Sequence, residues 1–332
     1  MLYDVGFRVD MGGKIGSGHF FRCLAIAEQL RKQKKKIVFL VKSEKEFLAH
    51  NNGKIPFIQL KKGSEKSRIT HCKKLAENIK LIIVDLPTHS ELYSKELSKN
   101  NKIVIFDDIG NKKISCDLLV NGTIVKNFQK YSIKNQNTKI AIGSKYLILR
   151  EQFFENKKNK KSSTSINKIL VTFGGNDENN HSYNISQYLC KKGYDVTVIL
   201  GPTYKNKNKF SKLLRDFKNL KIQNNVKKIS KIFNSQDLVI CSVGITVYEL
   251  ACLGIPCIMI SDNKLQNIMG SEIQKQGFGK NFEKWKNNFD DLENQLVKLN
   301  VLKVRKNMAT KGKKLIDGKG LFRVTKMILS LI

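Results

Sequence analysis

Short apolar runs rich in β-branched residues recur along the first half of the chain at Tyr3–Val9, Ile37–Val41, Leu81–Asp85, Lys102–Asp107, Leu118–Val120 and Lys139–Gly143, separated by helix-like stretches. Runs of this length that are apolar on both alternating faces predict strands of a parallel sheet covered on each side by helices. Between the first two, Phe20, Leu24, Ala27 and Leu30 recur at helical spacing and predict a buried stripe, with Glu28, Arg31 and Lys32 largely outside it. The pattern restarts with Ile169–Phe173, Val196–Leu200, Leu238–Cys241 and Cys257–Ile260. The stretch between, Glu155–Ser165, is rich in lysine and serine and reads as a linker. The expected architecture is therefore α/β, with two doubly wound parallel-sheet domains, 1–155 and 166–332, whose strand C-terminal ends face one another across a cleft. An amphipathic helical segment from about Val301 to Ile332 is expected to pack back on the first domain.

A length of 332 residues, 41% of them hydrophobic, suits two domains with separate cores. No apolar run approaches the roughly 20 residues that span a bilayer, and the N-terminus runs directly into a strand without a signal-peptide pattern, so a soluble cytoplasmic protein is expected. The seven cysteines form no Cys-x-x-Cys pair and have no histidine at ligand spacing, which argues against disulfides and zinc. The net charge of +33 invites a nucleic-acid, membrane-surface or anionic-substrate partner. The excess is scattered as lysine alongside abundant Asn and Ile, which resembles a codon-usage bias. No specific nucleic-acid partner is expected.

Two strand-turn-helix junctions carry the candidate chemistry. The first holds Gly12, Gly13, Gly16, Ser17, Gly18 and His19 ahead of a helix expected over Phe20–Leu30. Glycines permit a tight turn and close ligand approach, and a helix N-terminus offers free N–H groups to an anion. His19 there is a candidate general base; the alternative is a surface histidine beside an N-capping Ser17. Asp85, Asp107 and Asp108 fall at strand C-terminal ends, where they act either in a ligand crevice or as caps and loop contacts. The second junction runs Ser242, Val243, Gly244, Ile245, Thr246, with Glu249 three residues after Thr246. That spacing fits a capping box, or a diphosphate on the turn with Glu249 on a ribose.

The stretch Gly16-Ser17-Gly18-His19-Phe20-Phe21-Arg22-Cys23-Leu24-Ala25-Ile26-Ala27 closely resembles the start of the pseudaminic acid pathway hydrolases. Further landmarks follow in family order at Ile105–Ile109, Cys116–Leu119, Gly143–Arg150 and Ile169–Asp177, so the resemblance covers nearly the whole chain. It implies a GT-B fold, similar to the N-acetylglucosaminyltransferase that makes lipid II. The implied reaction is hydrolysis of UDP-2,4-diacetamido-2,4,6-trideoxy-β-L-altropyranose to UDP and free sugar with inversion at the anomeric carbon. His19 would activate the water, and no cofactor or metal is implied. The implied substrate-binding set is Asp10, Gly16, Ser17, Gly18, Arg22, Asp85, Gly174, Gly175, Asn176, Ser242, Gly244, Ile245, Thr246, Glu249 and Asn263, with uracil near Gln223–Val226.

The chain departs from the family pattern at three places. Val243 stands where glycine is usual, Leu86-Pro87-Thr88-His89 follows Asp85 without the common aromatic, and Lys264 follows Asp262-Asn263 where glutamine is frequent. These changes touch the phosphate loop and the sugar pocket. An inverting GT-B glycosyltransferase using a UDP-sugar, and a basic nucleic-acid-binding protein without catalysis, are the alternative readings. Arg22-Cys23-Leu24 favours the hydrolase, because the transferase usually carries proline at the arginine position. A UDP-sugar is the expected partner, and a monomer the expected state.

Overall fold

The structure is a computed structural model that describes residues 2–11, 18–51, 55–156, 163–175, 177–201, 204–224 and 226–332. The chain divides into two compact units, Met1–Glu151 with Gly318–Ile332, and Gln152–Asp317.

The first unit contains β1 (Tyr3–Val9), α1 (Gly18–Lys32), β2 (Ile37–Val41), α2 (Glu44–Asn51), β3 (Phe57–Gln59), α3 (Glu65–Ala76), β4 (Ile79–Asp85), α4 (Ser90–Leu97), β5 (Lys102–Phe106), β6 (Lys112–Ile114), β7 (Leu118–Asn121), β8 (Tyr131–Ile133) and β9 (Lys139–Ile142). Seven strands form one sheet in the order β3-β2-β1-β4-β5-β7-β9, with parallel pairing throughout, and β6 and β8 pair as a separate ribbon. The β-branched runs lie in the middle of this sheet. Ile37–Val41 is buried at all five positions, and Leu81–Val84 is inaccessible to solvent. Strand order grows in one direction from β1 to β3 and in the other from β4 to β9. The junction of β1 and β4 is therefore the topological switch point, where ligands of such sheets bind at the strand C-terminal ends.

The second unit begins with α5 (Glu151–Glu155), whose Phe153 is buried beside Phe233. There follow β10 (Lys168–Thr172), α6 (His181–Lys191), β11 (Asp195–Leu200), α7 (Lys209–Asp216), β12 (Leu220–Asn224), α8 (Ile229–Asn234), β13 (Leu238–Ser242), α9 (Ile245–Leu253), β14 (Cys257–Ser261), α10 (Lys264–Lys275), β15 (Gly279–Glu283), α11 (Phe289–Asn300) and α12 (Leu302–Leu315). Its sheet has the order β12-β11-β10-β13-β14-β15, again parallel, with the switch point between β10 and β13. The final helix, α13 (Gly320–Leu329), packs on α1 in the first unit through buried Leu321, Val324 and Ile328.

Several elements differ from the sequence reading. The first helix begins at Gly18, so His19 lies inside its first turn and not in the turn before it. Leu24 is only partly buried, whereas Cys23 and Ile26 are fully inside, because α13 covers a second side of the helix. Strands β3, β6, β8, β12 and β15 are additional. All seven cysteines are buried and none is in a disulfide. Gly12, Gly13, Gly16 and Ser17 of the first turn, Asn176 of the second glycine loop, and most of the linker fall outside the described residues. Among the described residues no helix is long and apolar enough to cross a membrane.

Candidate active site

At the switch point of the first sheet, α1 follows β1 and Asp85 closes β4, which sets His19 beside a carboxylate that solvent does not reach. His19 Nδ1 donates to Asp85 Oδ1 at 2.7 Å. Arg22, one turn further along α1, donates from Nε to Asp85 Oδ2 at 2.8 Å and from Nη2 to Oδ1 at 2.6 Å. The other edge of its guanidinium meets Asp108, just beyond β5, at 2.8 Å and 3.1 Å. Cys23 Sγ donates to Asp85 Oδ2 at 3.4 Å, and the guanidinium stacks over the Phe106 ring, 5.2 Å from its centre. Asp85 is 0% exposed, Arg22 13% and Asp108 41% by side chain, so the network runs from a buried centre to a solvated end.

Electrostatics in this cluster favour an imidazole with a well-oriented base nitrogen. Burial alone would raise the Asp85 pKa, but the Arg22 charge, with His19, outweighs it and holds the carboxyl far below the ordinary carboxylate range. Burial likewise pulls the His19 pKa down; the Asp85 charge and hydrogen bond prevail over it, and the net shift is upward. Burial together with the Asp85 charge keeps the Cys23 thiol protonated, which removes it as a nucleophile. With its Nδ1 hydrogen directed at Asp85, His19 presents Nε2 as an acceptor, the arrangement by which a carboxylate fixes tautomer and orientation in a histidine base.

The neighbouring carboxylates have other partners. Asp107 accepts from the backbone N–H groups of Ile109 and Gly110, from Tyr131 Oη at 2.8 Å and from Lys112, which makes it the clamp of the loop that carries Asp108. Asp10 is paired with the fully buried Arg8 at 2.5 and 2.8 Å and accepts from the Lys42 backbone N–H, tying the end of β1 to that of β2. The described contacts place Asp10 in that network, separate from the His19 cluster. Gly18 opens α1, and a Cβ on it would meet no described atom within 4 Å.

In the second unit, three loops gather at the switch point. Gly174 adopts a left-handed conformation (φ 69°), and a Cβ on it would lie 3.9 Å from Ser242 Oγ at the end of β13. A Cβ on Gly201, at the end of β11, would meet the Gly174 oxygen at 2.0 Å and Gly175 Cα at 2.5 Å, so only glycine allows these backbones to cross. After β13, Gly244 is the N-cap of α9 and no side chain caps the helix. This corrects the Thr246 cap: Thr246 is the second helical residue and Glu249 the fifth, so the pair forms no capping box. Gly244 thus gives the first N–H groups of α9 no side-chain cap; the Val247 N–H donates to the Gly244 oxygen at 3.2 Å, a Cβ on Gly244 would meet no described atom within 4 Å, and Ile245 is 39% exposed. Glu249 is buried at 4% exposure. Asn263 is the N-cap of α10, its Oδ1 accepting from the Gln266 backbone N–H at 3.0 Å, and Gln223 lies near the end of β12.

His181, which the sequence reading did not single out, and Asp262, which entered it only as the neighbour of Asn263, stand beside these loops. His181, at the start of α6, is 4% exposed and meets Asp262 Oδ1 through Nε2 at 2.8 Å. Their separation of 81 positions leaves no local signal, and only the strand order brings them together.

Two parallel-sheet units of this topology define the GT-B fold, the architecture of nucleotide-sugar enzymes. The chain belongs to the glycosyltransferase family 28 C-terminal domain family, which its residues 143–320 match. Over 273 residues, 77% of the chain, it is 29% identical to protein MJ1062 of Methanocaldococcus jannaschii, and it spans about half, 55%, of that relative's length. It is 24% identical to the spore coat polysaccharide biosynthesis protein SpsG of Bacillus subtilis, with 98% of each chain aligned. Among solved structures, Acinetobacter baumannii MurG superposes with a TM-score of 0.70 at 15% identity, covering 98% of this chain and 99% of MurG. Anabaena HepE in complex with UDP gives a TM-score of 0.61 at 12% identity over 99% and 100% of the two chains.

Proposed function

We propose that this chain is a cytoplasmic hydrolase that releases UDP from a UDP-linked 2,4-diacetamido-2,4,6-trideoxyhexose with inversion, the reaction of the pseudaminic acid pathway. The observation that carries the reading is the His19–Asp85 pair, which engages Nδ1 and leaves Nε2 without a partner among the described residues, available to take a proton from water. Water deprotonated by Nε2 attacks the anomeric carbon as the bond to the diphosphate oxygen breaks, through an oxocarbenium-like transition state. UDP leaves as an anion, so stabilising its charge matters more than protonating it.

The second unit supplies the nucleotide site in this reading. The uncapped N–H groups of α9 and the Ser242–Thr246 turn hold the diphosphate, Gly174 and Gly175 allow its close approach, and Glu249 takes the ribose hydroxyls. HepE binding UDP on the same fold supports that assignment.

Membership in a glycosyltransferase family favours a second reading, in which His19 deprotonates an acceptor hydroxyl and the sugar is transferred. One experiment separates the two: a panel of UDP-sugars is incubated with the protein without acceptor, and UDP and free sugar are followed together. Equal release of both from a diacetamido-trideoxy sugar supports the hydrolase. UDP release only when a sugar or lipid acceptor is added establishes the transferase.

A further inference from the structure

The His181–Asp262 pair joins two loops that are not neighbours in the sheet. His181 follows the loop after β10, Asp262 follows β14, and β13 lies between those strands. The hydrogen bond thus ties the strand ends on either side of the one that leads into Gly244 and α9. Asp262 Oδ1 also accepts from Asn179 at 3.0 Å, and the Asp262 backbone N–H donates to Gln266 at 2.8 Å, so the tie extends into both loops. On the α6 side, both oxygens of Asp177 accept backbone N–H groups, of His181 and Ser182, at 2.9 Å each.

The imidazole itself is set among aromatic rings, 5.1 Å from Phe173 and 5.7 Å from Trp285. Its Nδ1 has no hydrogen-bond partner among the described residues, and its side chain is 5% exposed. A bare lone pair in such a setting costs less than a bare N–H, so the ring hydrogen belongs on Nε2, where Asp262 accepts it. Among the described residues the ring has one polar tether, and that tether crosses the mouth of the second sheet. At that burial the ring is placed to orient the loops it joins.

We propose that His181 is a positioning residue whose hydrogen bond to Asp262 latches the loop after β10 to the loop after β14, so that the loops flanking the α9 N-terminus are held together for nucleotide binding. The nucleotide part of this inference rests on the UDP reading above, and the latch itself does not.

The test uses the full chain with His181→Phe, which keeps an aromatic ring between Phe173 and Trp285, and Asp262→Ala, which cuts the bond from its more exposed side. Hydrogen exchange without ligand should accelerate at least tenfold, roughly 1.4 kcal/mol, at 173–181 and 262–268 together in either variant, with other segments unchanged. UDP binding by calorimetry should weaken about five- to thirtyfold in each single variant and no further in the double, the signature of one shared interaction. His181→Gln, which can still donate to Asp262, should recover most of the affinity. Faster exchange in only one loop, losses that multiply in the double variant, or no recovery by His181→Gln would each overturn the latch. If His181→Phe fails to fold, Asp262→Ala alone decides through the exchange of the 173–181 loop. Absence of UDP binding by the unaltered protein would remove the nucleotide reading and leave the exchange comparison to judge the latch.

Discussion

His19 and Asp85, 66 positions apart in sequence, meet through Nδ1 and Oδ1 at 2.7 Å, with the carboxylate fully enclosed and the imidazole at the edge of solvent. The contact follows from topology. A helix after β1 and a residue at the end of β4 converge because those strands are adjacent at the point where strand order reverses. If Nε2 is the base, His19→Asn and His19→Ala should lower turnover by roughly 10²–10⁴ while UDP affinity measured by calorimetry stays within about twofold. Near-normal turnover in either variant would remove His19 from the chemistry.

The Asp85 carboxylate predicts the pH dependence. His19 must be unprotonated to act, and Asp85 raises its pKa above the ordinary 6.5, so kcat/KM should rise with pH along an acid limb centred above that value. Asp85→Asn removes the charge and should move the limb to lower pH while reducing the plateau. An unmoved limb would assign it to another group. Stability runs the opposite way: a raised pKa in the folded state stabilises fully below 6.5, and that contribution fades as pH climbs through the folded value. The melting temperature of the unaltered protein relative to His19→Ala should accordingly fall as pH rises past the acid limb.

Glu249 tests the nucleotide side. It lies inside α9 and closes no cap, so its effect on UDP is separable from helix initiation. Glu249→Gln, which keeps the shape and removes the charge, should weaken UDP binding by about 1.5–3 kcal/mol, the range for a hydrogen bond to a charged group, with a small change in melting temperature. Unchanged affinity with a large loss of stability would make the carboxylate a core residue only.

The legibility of the chain was uneven for physical reasons. Central strands such as Ile37–Val41 announce themselves because burial on both faces demands continuous apolar runs. The edge strands β12 and β15 do not, since Lys221, Gln223, Lys280 and Asn281 sit on partly open faces where polar residues cost little. The glycine loops and His19 were visible in the sequence, whereas the Asp85–Arg22–Asp108 chain needed the strand order to assemble. Thr246 misled because capping rules reward a side-chain oxygen, and this helix begins two residues earlier with none.

Docking of the last helix depends on one residue without a side chain. A Cβ on Gly320 would sit 1.9 Å from the Leu147 carbonyl oxygen, a backbone atom that cannot turn aside. Gly320→Ala should therefore displace the start of α13 from the first unit and cost about 1–3 kcal/mol, the range for overpacking, read as a lower urea midpoint. An unchanged midpoint would show that α13 shifts freely, and that its burial of Leu321, Val324 and Ile328 contributes little.

The purpose of the +33 charge is decided by salt. Short lysine runs such as Lys34–Lys36 and Lys311–Lys314 lie far apart in sequence. Phe20, Phe39 and Phe47, aromatics that could in principle stack on bases, are packed together in the core of the first unit. No aromatic is among the exposed large hydrophobics of the described residues, and diffuse charge of this kind gives only the counterion-release contribution. Binding to DNA or RNA should thus be weak, independent of sequence, and abolished between about 50 and 200 mM salt, where several phosphate contacts lose orders of magnitude in affinity. UDP binding should weaken far less over that interval if, as proposed, oriented N–H groups and Glu249 hold the nucleotide alongside net charge. Tight binding of one nucleic-acid sequence at physiological salt, together with no hydrolysis of any UDP-sugar, would move this chain from the nucleotide-sugar enzymes to the nucleic-acid-binding proteins.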